Sequence, residues 1–246
     1  MPPEKTQKIK SSSLWSDLCF YFFTNPQIKT LVKYNSPLER ENYSQRILRR
    51  INVDVTKYSV LNIHKIGINV PTQHVFEELL HWDGKSDYWP NQIARVKRIN
   101  GNLENILIYV LGLEKINCNW IKSKEIKITP LFNMTALKFQ HTPPDSDADN
   151  SRYLLYKCSG GYPIGIFTLY VRSSIAEQNE EEKAQLYVTV AFNFYGKKKW
   201  FYDYIINWIW EKIHNRVTAN ILNRIKMIFE NKFNNTIAIL ERTSKK

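Results

Sequence analysis

Histidines are the residues in this chain best suited to hold a metal ion or move a proton, and their spacing is the first evidence on its chemistry. The five are His64, His74, His81, His141 and His214. None forms an HExxH pair, and the sequence contains no GxSxG, Walker A or GxGxxG motif. His74 and His81 would share a helix face only if a helix continued through Gly84. We therefore expect solvent-facing or capping histidines, no metal site and no cofactor.

General acid/base chemistry inside an apolar cavity remains open as an alternative. Burial moves the pKa of a carboxyl group or a histidine toward the pH at which it works. Four suitable residues lie on predicted strands: Glu104, His141, Tyr156 and Arg172. Successive side chains of a strand point to opposite faces, and the sequence does not decide which of these four point inward.

The net charge of the 246 residues is +12, and it is unevenly distributed along the chain. Residues 1–57 carry 10 basic and 5 acidic side chains, residues 197–246 carry 11 and 4, and the centre carries 14 of each. Basic ends suit a nucleic acid or an anionic membrane surface. No nucleic-acid-binding motif accompanies them. We predict no specific nucleic-acid partner and retain a solvated basic face and a membrane surface as alternatives.

Cysteine usage and the N-terminal residues bear on the compartment. Cys19, Cys118 and Cys158 are an odd number without a CxxC pair, which fits a reducing environment. The first residues lack the apolar core of a signal peptide. The apolar stretch 14–23 is too short to span a bilayer. We expect a cytoplasmic protein, with a membrane-peripheral one as the alternative.

The element pattern predicts an α+β domain between two helical regions. Residues 1–57 are predicted to be an extension with two helices. The first ends near Phe23, and the second spans about 38–51. Strand one, about 58–69, leads to a short helix at 72–80. The remaining strands are predicted at 93–99, 103–111, 132–141, 152–158, 163–174 and 184–194. Asn100-Gly101 between two of them is a hairpin signal, and residues 112–131 remain ambiguous.

A long helix is predicted over 197–232, because this run contains neither Gly nor Pro. Its second half has one apolar stripe, whereas its first half is apolar around most of its circumference and needs cover on two sides. We expect the sheet on one side and the apolar N-terminal segment on the other, with a membrane surface as the rival. Residues 233–246 are predicted to be a tail.

Two short segments resemble a known superfamily. The run Ile68–Phe76 is similar to the apolar-x-x-Pro-x-x-x-Val-Phe opening of START/Bet v 1-like proteins (the SRPBCC or polyketide cyclase/dehydrase-like superfamily). Tyr88-Trp89-Pro90 followed by Ile93–Val96 resembles their next segment. The resemblance covers residues 58–232. It implies a helix-grip fold, in which a curved seven-stranded antiparallel sheet wraps around the long C-terminal helix and encloses a cavity for apolar ligands.

Three functions are therefore considered. The first is binding or transport of a hydrophobic small molecule or lipid in that cavity. The second is a cyclase or dehydratase that uses acid/base groups there, and the third is a peripheral membrane or interaction protein with a filled cavity. Five aromatic residues are predicted on the cavity wall, although core packing explains each equally well: Trp89, Tyr156, Phe167, Phe192 and Trp208.

Overall fold

The computed structural model describes residues 14–48, 54, 58, 60–80, 87–90, 94–98, 106–110, 133–141, 151–159, 164–174, 183–192 and 202–244. The helices are α1 (Leu14–Asp17), which continues as a π-helical segment (Leu18–Phe23), α2 (Pro37–Leu48), α3 (Thr72–Leu80) and α4 (Tyr202–Ser244). The strands are β1 (Val60–Ile68), β2 (Ala94–Arg98), β3 (Ile106–Val110), β4 (Asn133–His141), β5 (Ser151–Ser159), β6 (Ile164–Ser174) and β7 (Lys183–Phe192).

The described strands form one antiparallel sheet in the order β1-β7-β6-β5-β4-β3-β2. The first strand therefore lies beside the last, with Asn62 opposite Val190 and His64 opposite Val188. The predicted α+β class, with an antiparallel sheet and a long C-terminal helix, is confirmed. Residues 112–131 and the predicted turn at 100–102 lie outside the described residues.

The inner face of the sheet packs against α3 and α4. Alternation along β1 puts Val60, Ile66 and Ile68 on this face. From α3, the apolar side chains of Val75, Phe76 and Leu79 pack against this face. From α4, Leu222 and Phe229 do so at helical spacing. We call the following buried residues the inner core: Val60, Ile66, Ile68, Val70, Val75, Phe76, Leu79, Tyr88, Leu154, Leu169, Val171, Ala184, Leu186, Val188, Val190, Leu222, Ile225 and Phe229.

The outer face of the sheet is covered by the N-terminal extension. Leu48 of α2 is buried against Leu61 and Ile63 of β1 and Tyr187 of β7, and Tyr43 packs at the edge of this second cluster, which we call the outer core. The extension therefore shares a hydrophobic core with the strands, and its burial stabilises the sheet from the side opposite α4.

The chain between the π-helical segment and α2 runs along the free edge of β1. The amide of Lys65 donates to the carbonyl of Thr30 at 2.8 Å, and that of Val32 donates to the carbonyl of Ile63 at 2.9 Å. These bonds pair backbone groups that an edge strand would otherwise leave open. Earlier in this segment, the Asn223 side chain of α4 accepts from the amide of Ile28 and donates to its carbonyl, each at 3.0 Å. This edge segment joins α4 to β1.

Two sequence expectations for α4 are wrong. The helix does not end near residue 232 but continues to Ser244, because nothing in 233–244 breaks it: this run also lacks Gly and Pro. Where side chains are described, the N-terminal segment does not cover the first half of α4, and Ile205, Ile209 and Ile213 are exposed there. It packs further along, where Asn220 donates to the carbonyls of Tyr21 at 3.0 Å and Thr24 at 2.8 Å. Within the described residues, no helix is long and apolar enough to cross a bilayer.

Candidate functional site

A group of polar side chains lies between β1 and the middle of α4. It consists of Asn62, His64, Glu211, His214 and Asn215, which we call the polar cluster. On β1, Asn62 and His64 have the same parity as Val60 and Ile66, so they face the inner side of the sheet. On α4, residues 211, 214 and 215 lie one turn apart and before the turns that carry Leu222 and Ile225. The interface between β1 and α4 is thus polar at one end and apolar at the other.

His64 is the most enclosed member of the cluster. Its side chain is 1% exposed, and both ring nitrogens have partners. Nδ1 lies 2.8 Å from Oγ1 of Thr30 in the edge segment, and Nε2 lies 3.1 Å from Oδ1 of Asn215. A neutral imidazole donates from one ring nitrogen and accepts at the other, so Thr30 and Asn215 together satisfy both. The imidazole is therefore held in one orientation by two different elements.

Asn62 connects the strand to a carboxylate of the helix. In the amide orientation that satisfies both of its polar atoms, its nitrogen donates to Oε1 of Glu211 at 2.8 Å and to the carbonyl of Leu61 at 3.3 Å. The amide groups of Asn62 and Asn215 lie 3.2 Å apart. A hydrogen bond to a carboxylate is stronger than one between neutral groups, so Asn62 fixes the Glu211 side chain against the sheet.

Both histidines of the cluster are neutral near pH 7. Burial lowers the pKa of His64 from 6.5 to about 4, against a smaller opposite effect of its hydrogen bond with Asn215. Burial also lowers the pKa of His214 to about 4, and the nearby His64 lowers it further. Nδ1 of His214 lies 3.3 Å from the hydroxyl oxygen of Thr218. A neutral imidazole can accept or donate a proton, whereas an imidazolium can only donate.

The cluster combines neutral imidazoles, amides and one carboxylate, which gives it two chemical capacities. It can bind a polar group such as a hydroxyl, carbonyl or carboxyl by hydrogen bonds, and it can transfer a proton to or from such a group. Within the described part of the chain, no set of three or more His, Cys, Asp and Glu side chains is arranged to hold a metal ion.

The predicted wall residues are not all brought together. Trp89 and Phe167 are partly buried and pack against the inner core. The backbone of Tyr156 lies opposite Phe167, and that of Phe192 lies opposite Val60, but their side chains lie outside the described residues. Trp208 is more than half exposed, with Nζ of Lys212 at 3.6 Å from its ring centroid. It therefore lies at the protein surface.

The predicted acid/base candidates and the described polar cluster are different residues. Arg172 is exposed and lies 5.3 Å from the ring of Tyr187, a residue of the outer core, so it does not point inward. Glu104 and the side chains of His141 and Tyr156 lie outside the described residues. The expectation that the histidines face solvent or cap helices is wrong for His64, because the edge segment and α4 enclose it.

A sequence signal for the polar cluster did exist. Asn62 and His64 interrupt the inward-facing apolar positions of β1 at a spacing of two, which matches strand periodicity. Glu211, His214, Asn215 and Thr218 recur at the spacing of a helix face. Each pattern is ordinary when read alone. Only the pairing of the first strand with the last helix shows that the two meet.

No family model and no curated protein matches the sequence. Several solved structures are similar. The Zhui aromatase/cyclase from a Streptomyces species is 13% identical, covers 71% of this chain and 95% of its own, and has a TM-score of 0.42. A polyketide-cyclase-like protein from Corynebacterium glutamicum is 11% identical, with coverages of 72% and 93% and a TM-score of 0.32. Ara h 8.0201 is 13% identical, with coverages of 66% and 95% and a TM-score of 0.33.

All three structures are at most 13% identical to this chain and have TM-scores of 0.42 or lower. At such identities and TM-scores, no activity, ligand or residue role is transferred from them to this chain. The description of the site rests on the contacts of the polar cluster and of the inner core.

Proposed function

We propose that this protein binds or carries a hydrophobic small molecule or lipid that has a polar end. The apolar body of the ligand would lie between the sheet and α4, and the polar cluster would bind its polar end. The observation that carries the proposal is that Asn62 and His64 face the same side of the sheet as the inner core. One continuous interface thus offers apolar packing and oriented hydrogen-bonding groups together.

The energetics of the cluster support a binding role. Burying polar side chains away from water costs free energy. The hydrogen bonds between these side chains offset that cost. An inner face made of apolar residues alone would pack without that cost. A ligand group that bonds to Glu211 or His214 would use hydrogen-bonding capacity that the cluster already holds in place, because Asn62 and Thr218 fix these two side chains.

The remaining features of the proposal follow from the sequence resemblance. In the helix-grip arrangement, the seven strands would curve around α4 and leave room beside the inner core, with Trp89, Tyr156, Phe167 and Phe192 along the wall. Residues 58–232 would form the ligand-binding domain, with residues 1–57 as its cover. The protein would act in the cytoplasm without a cofactor.

A cyclase or dehydratase is the second candidate, and one observation favours it. Asn62 bonds to Glu211, while His64 lies on the same strand and His214 on the same helix, so a carboxylate and two neutral imidazoles converge on one region. Such a set could remove a proton from a ligand carbon and return it to an oxygen. In this reading Glu211→Gln abolishes turnover while ligand affinity changes little.

Competition binding with matched ligand pairs tests the proposal. A fluorescent fatty acid is displaced by a fatty acid or by the alkane of equal length, and a hydroxylated sterol is compared with its parent hydrocarbon. We expect the polar member of a pair to bind at least about tenfold more tightly, equivalent to about 1.4 kcal/mol. Asn62→Leu should remove that preference, whereas Asn220→Ala, a buried asparagine of α4 outside the cluster, should retain it. Equal affinities within every pair would contradict the proposal.

A further inference from the structure

An apolar stripe on the first half of α4 has no partner in the described part of the chain. Ile205, Ile209 and Ile213 recur every four residues, so they lie above one another on one side of the helix. Together with Trp208 they are between 40% and 53% exposed. We call these four residues the α4 stripe. An isoleucine left this exposed forgoes a large part of the stabilisation that full burial would give.

The position of the α4 stripe explains why it is exposed. Glu211, Asn215 and Thr218 face the sheet, so Ile205, Ile209 and Ile213 lie on the side of the helix away from it. Trp208 lies one turn before Glu211, at the border between this side and the polar cluster. Further along that outer side, the N-terminal segment covers the helix: Arg216 donates to the carbonyl of Phe22 at 3.3 Å, and Asn220 bonds to the carbonyl of Thr24 at 2.8 Å. The outer side is therefore polar where the chain covers it and apolar where it does not.

Basic groups accompany the stripe. The ammonium of Lys212 lies over the Trp208 ring at 3.6 Å from its centroid, and the exposed Arg216 follows one turn later. Three lysines, Lys197 to Lys199, precede the helix in the sequence, and residues 197–246 carry 11 basic against 4 acidic side chains. A second copy of the chain facing the stripe would bring the same cations together, whereas an anionic surface would attract them.

We propose that the α4 stripe docks the protein on an anionic lipid surface. The isoleucines would enter the boundary between headgroups and acyl chains, and the Trp208 ring would lie at headgroup level. The Lys212 ammonium lies over this ring, so it would also lie at headgroup level, where it can bind lipid phosphates or carboxylates. The three isoleucines lie on the side of α4 away from the polar cluster, so docking through them does not depend on the ligand proposed for the interior.

Vesicle flotation tests the docking surface. The full chain is mixed with phosphatidylcholine vesicles, with and without phosphatidylserine, and the bound fraction is measured. We expect binding only to the vesicles that contain phosphatidylserine. The double variant Ile209→Ser, Ile213→Ser should bind at least about tenfold more weakly. Met227→Ser is the matched control, since Met227 is equally exposed on α4 outside the stripe, and it should bind as the unmodified protein does.

A charge variant separates the contribution of the basic side chains from that of the isoleucines. Lys212→Gln should weaken binding by about fivefold, the effect of one basic side chain near an anionic surface. Lys33→Gln, an exposed lysine of the edge segment, should have less effect. Circular dichroism melting of each variant checks that the fold is retained.

Three outcomes would overturn the docking proposal. The first is equal vesicle binding by the double variant and the unmodified protein. The second is equal binding to vesicles with and without phosphatidylserine. The third is a stable dimer in analytical ultracentrifugation that the double isoleucine variant dissociates while vesicle binding is unchanged, because the stripe would then be an interface between copies. A loss of vesicle binding with interior ligand binding retained would separate this proposal from the proposed function.

Discussion

Nε2 of His64 lies 3.1 Å from Oδ1 of Asn215, joining the first strand of the sheet to the last helix across 151 residues of sequence. Nδ1 of the same imidazole lies 2.8 Å from Oγ1 of Thr30 in the edge segment. Three separate parts of the chain therefore meet at one buried ring. Any change in the protonation of His64 must act on all three contacts, which makes this residue the most direct link between the polar cluster and stability.

The stability of the protein should fall as the pH drops below about 6.5. The pKa of His64 is about 4 in the folded state and 6.5 in the unfolded chain, so between these values only the unfolded chain binds the proton. Stability is thus retained above pH 6.5 and lost toward pH 4. We would measure the free energy of unfolding by urea denaturation at several pH values. His64→Gln should reduce the slope of this free energy against pH by up to about 1.4 kcal/mol per pH unit.

Thr30→Ala is the control for this pH dependence. It removes a hydrogen bond of His64 but keeps the titrating ring, so stability should fall at every pH while the slope remains. An unchanged slope in His64→Gln would show that His64 is not a source of the pH dependence.

Two leucines of α2 provide a test of whether the N-terminal extension is part of the core. Leu48 is fully buried in the outer core, whereas Leu38 is exposed on the same helix. Leu48→Ala should lower the free energy of unfolding by about 2–5 kcal/mol. Leu38→Ala should change it by less than about 0.5 kcal/mol. Equal effects in urea denaturation would mean that α2 does not unfold together with the sheet.

Asn220 should hold the π-helical segment on α4. Its side-chain amide donates to three backbone carbonyls, those of Phe20, Tyr21 and Thr24. Asn220→Ala leaves these carbonyls without that donor, so we expect a loss of about 1–3 kcal/mol and faster proteolysis within residues 18–28. Asn235→Ala, at an exposed position of the same helix, should be nearly neutral. Identical proteolysis rates in the two variants would contradict this role.

Gly165 should tolerate no side chain while Tyr58 keeps its position. A Cβ at residue 165 would lie 2.6 Å from Cε1 of Tyr58, so Gly165→Ala forces the ring to move. We expect a loss of about 1–3 kcal/mol in the free energy of unfolding. In the Tyr58→Ala background the same change should cost much less, because the clash is absent. A double-mutant cycle with no coupling energy would show that the ring moves freely.

The sequence predicted the elements better than their contacts. β1, α3 and β7 lie close to the predicted positions because strand alternation and helical spacing are local signals. The polar cluster was missed because Asn62 and Glu211 are ordinary surface residues until the strand and helix meet. The cover of α4 was misplaced for a similar reason: many apolar residues near the N-terminus could reach the helix, and hydrogen bonds from Asn220 and Asn223 select one position.

Native mass spectrometry of the gently purified protein tests the central claim most directly. Anything that the protein carries is released by denaturation and identified. Our account predicts a stoichiometric apolar molecule with a polar end, reduced in Asn62→Leu and retained in Asn220→Ala. A mass equal to that of the chain alone, with no shift after addition of fatty acids, sterols and polyketides, would contradict ligand binding between the sheet and α4.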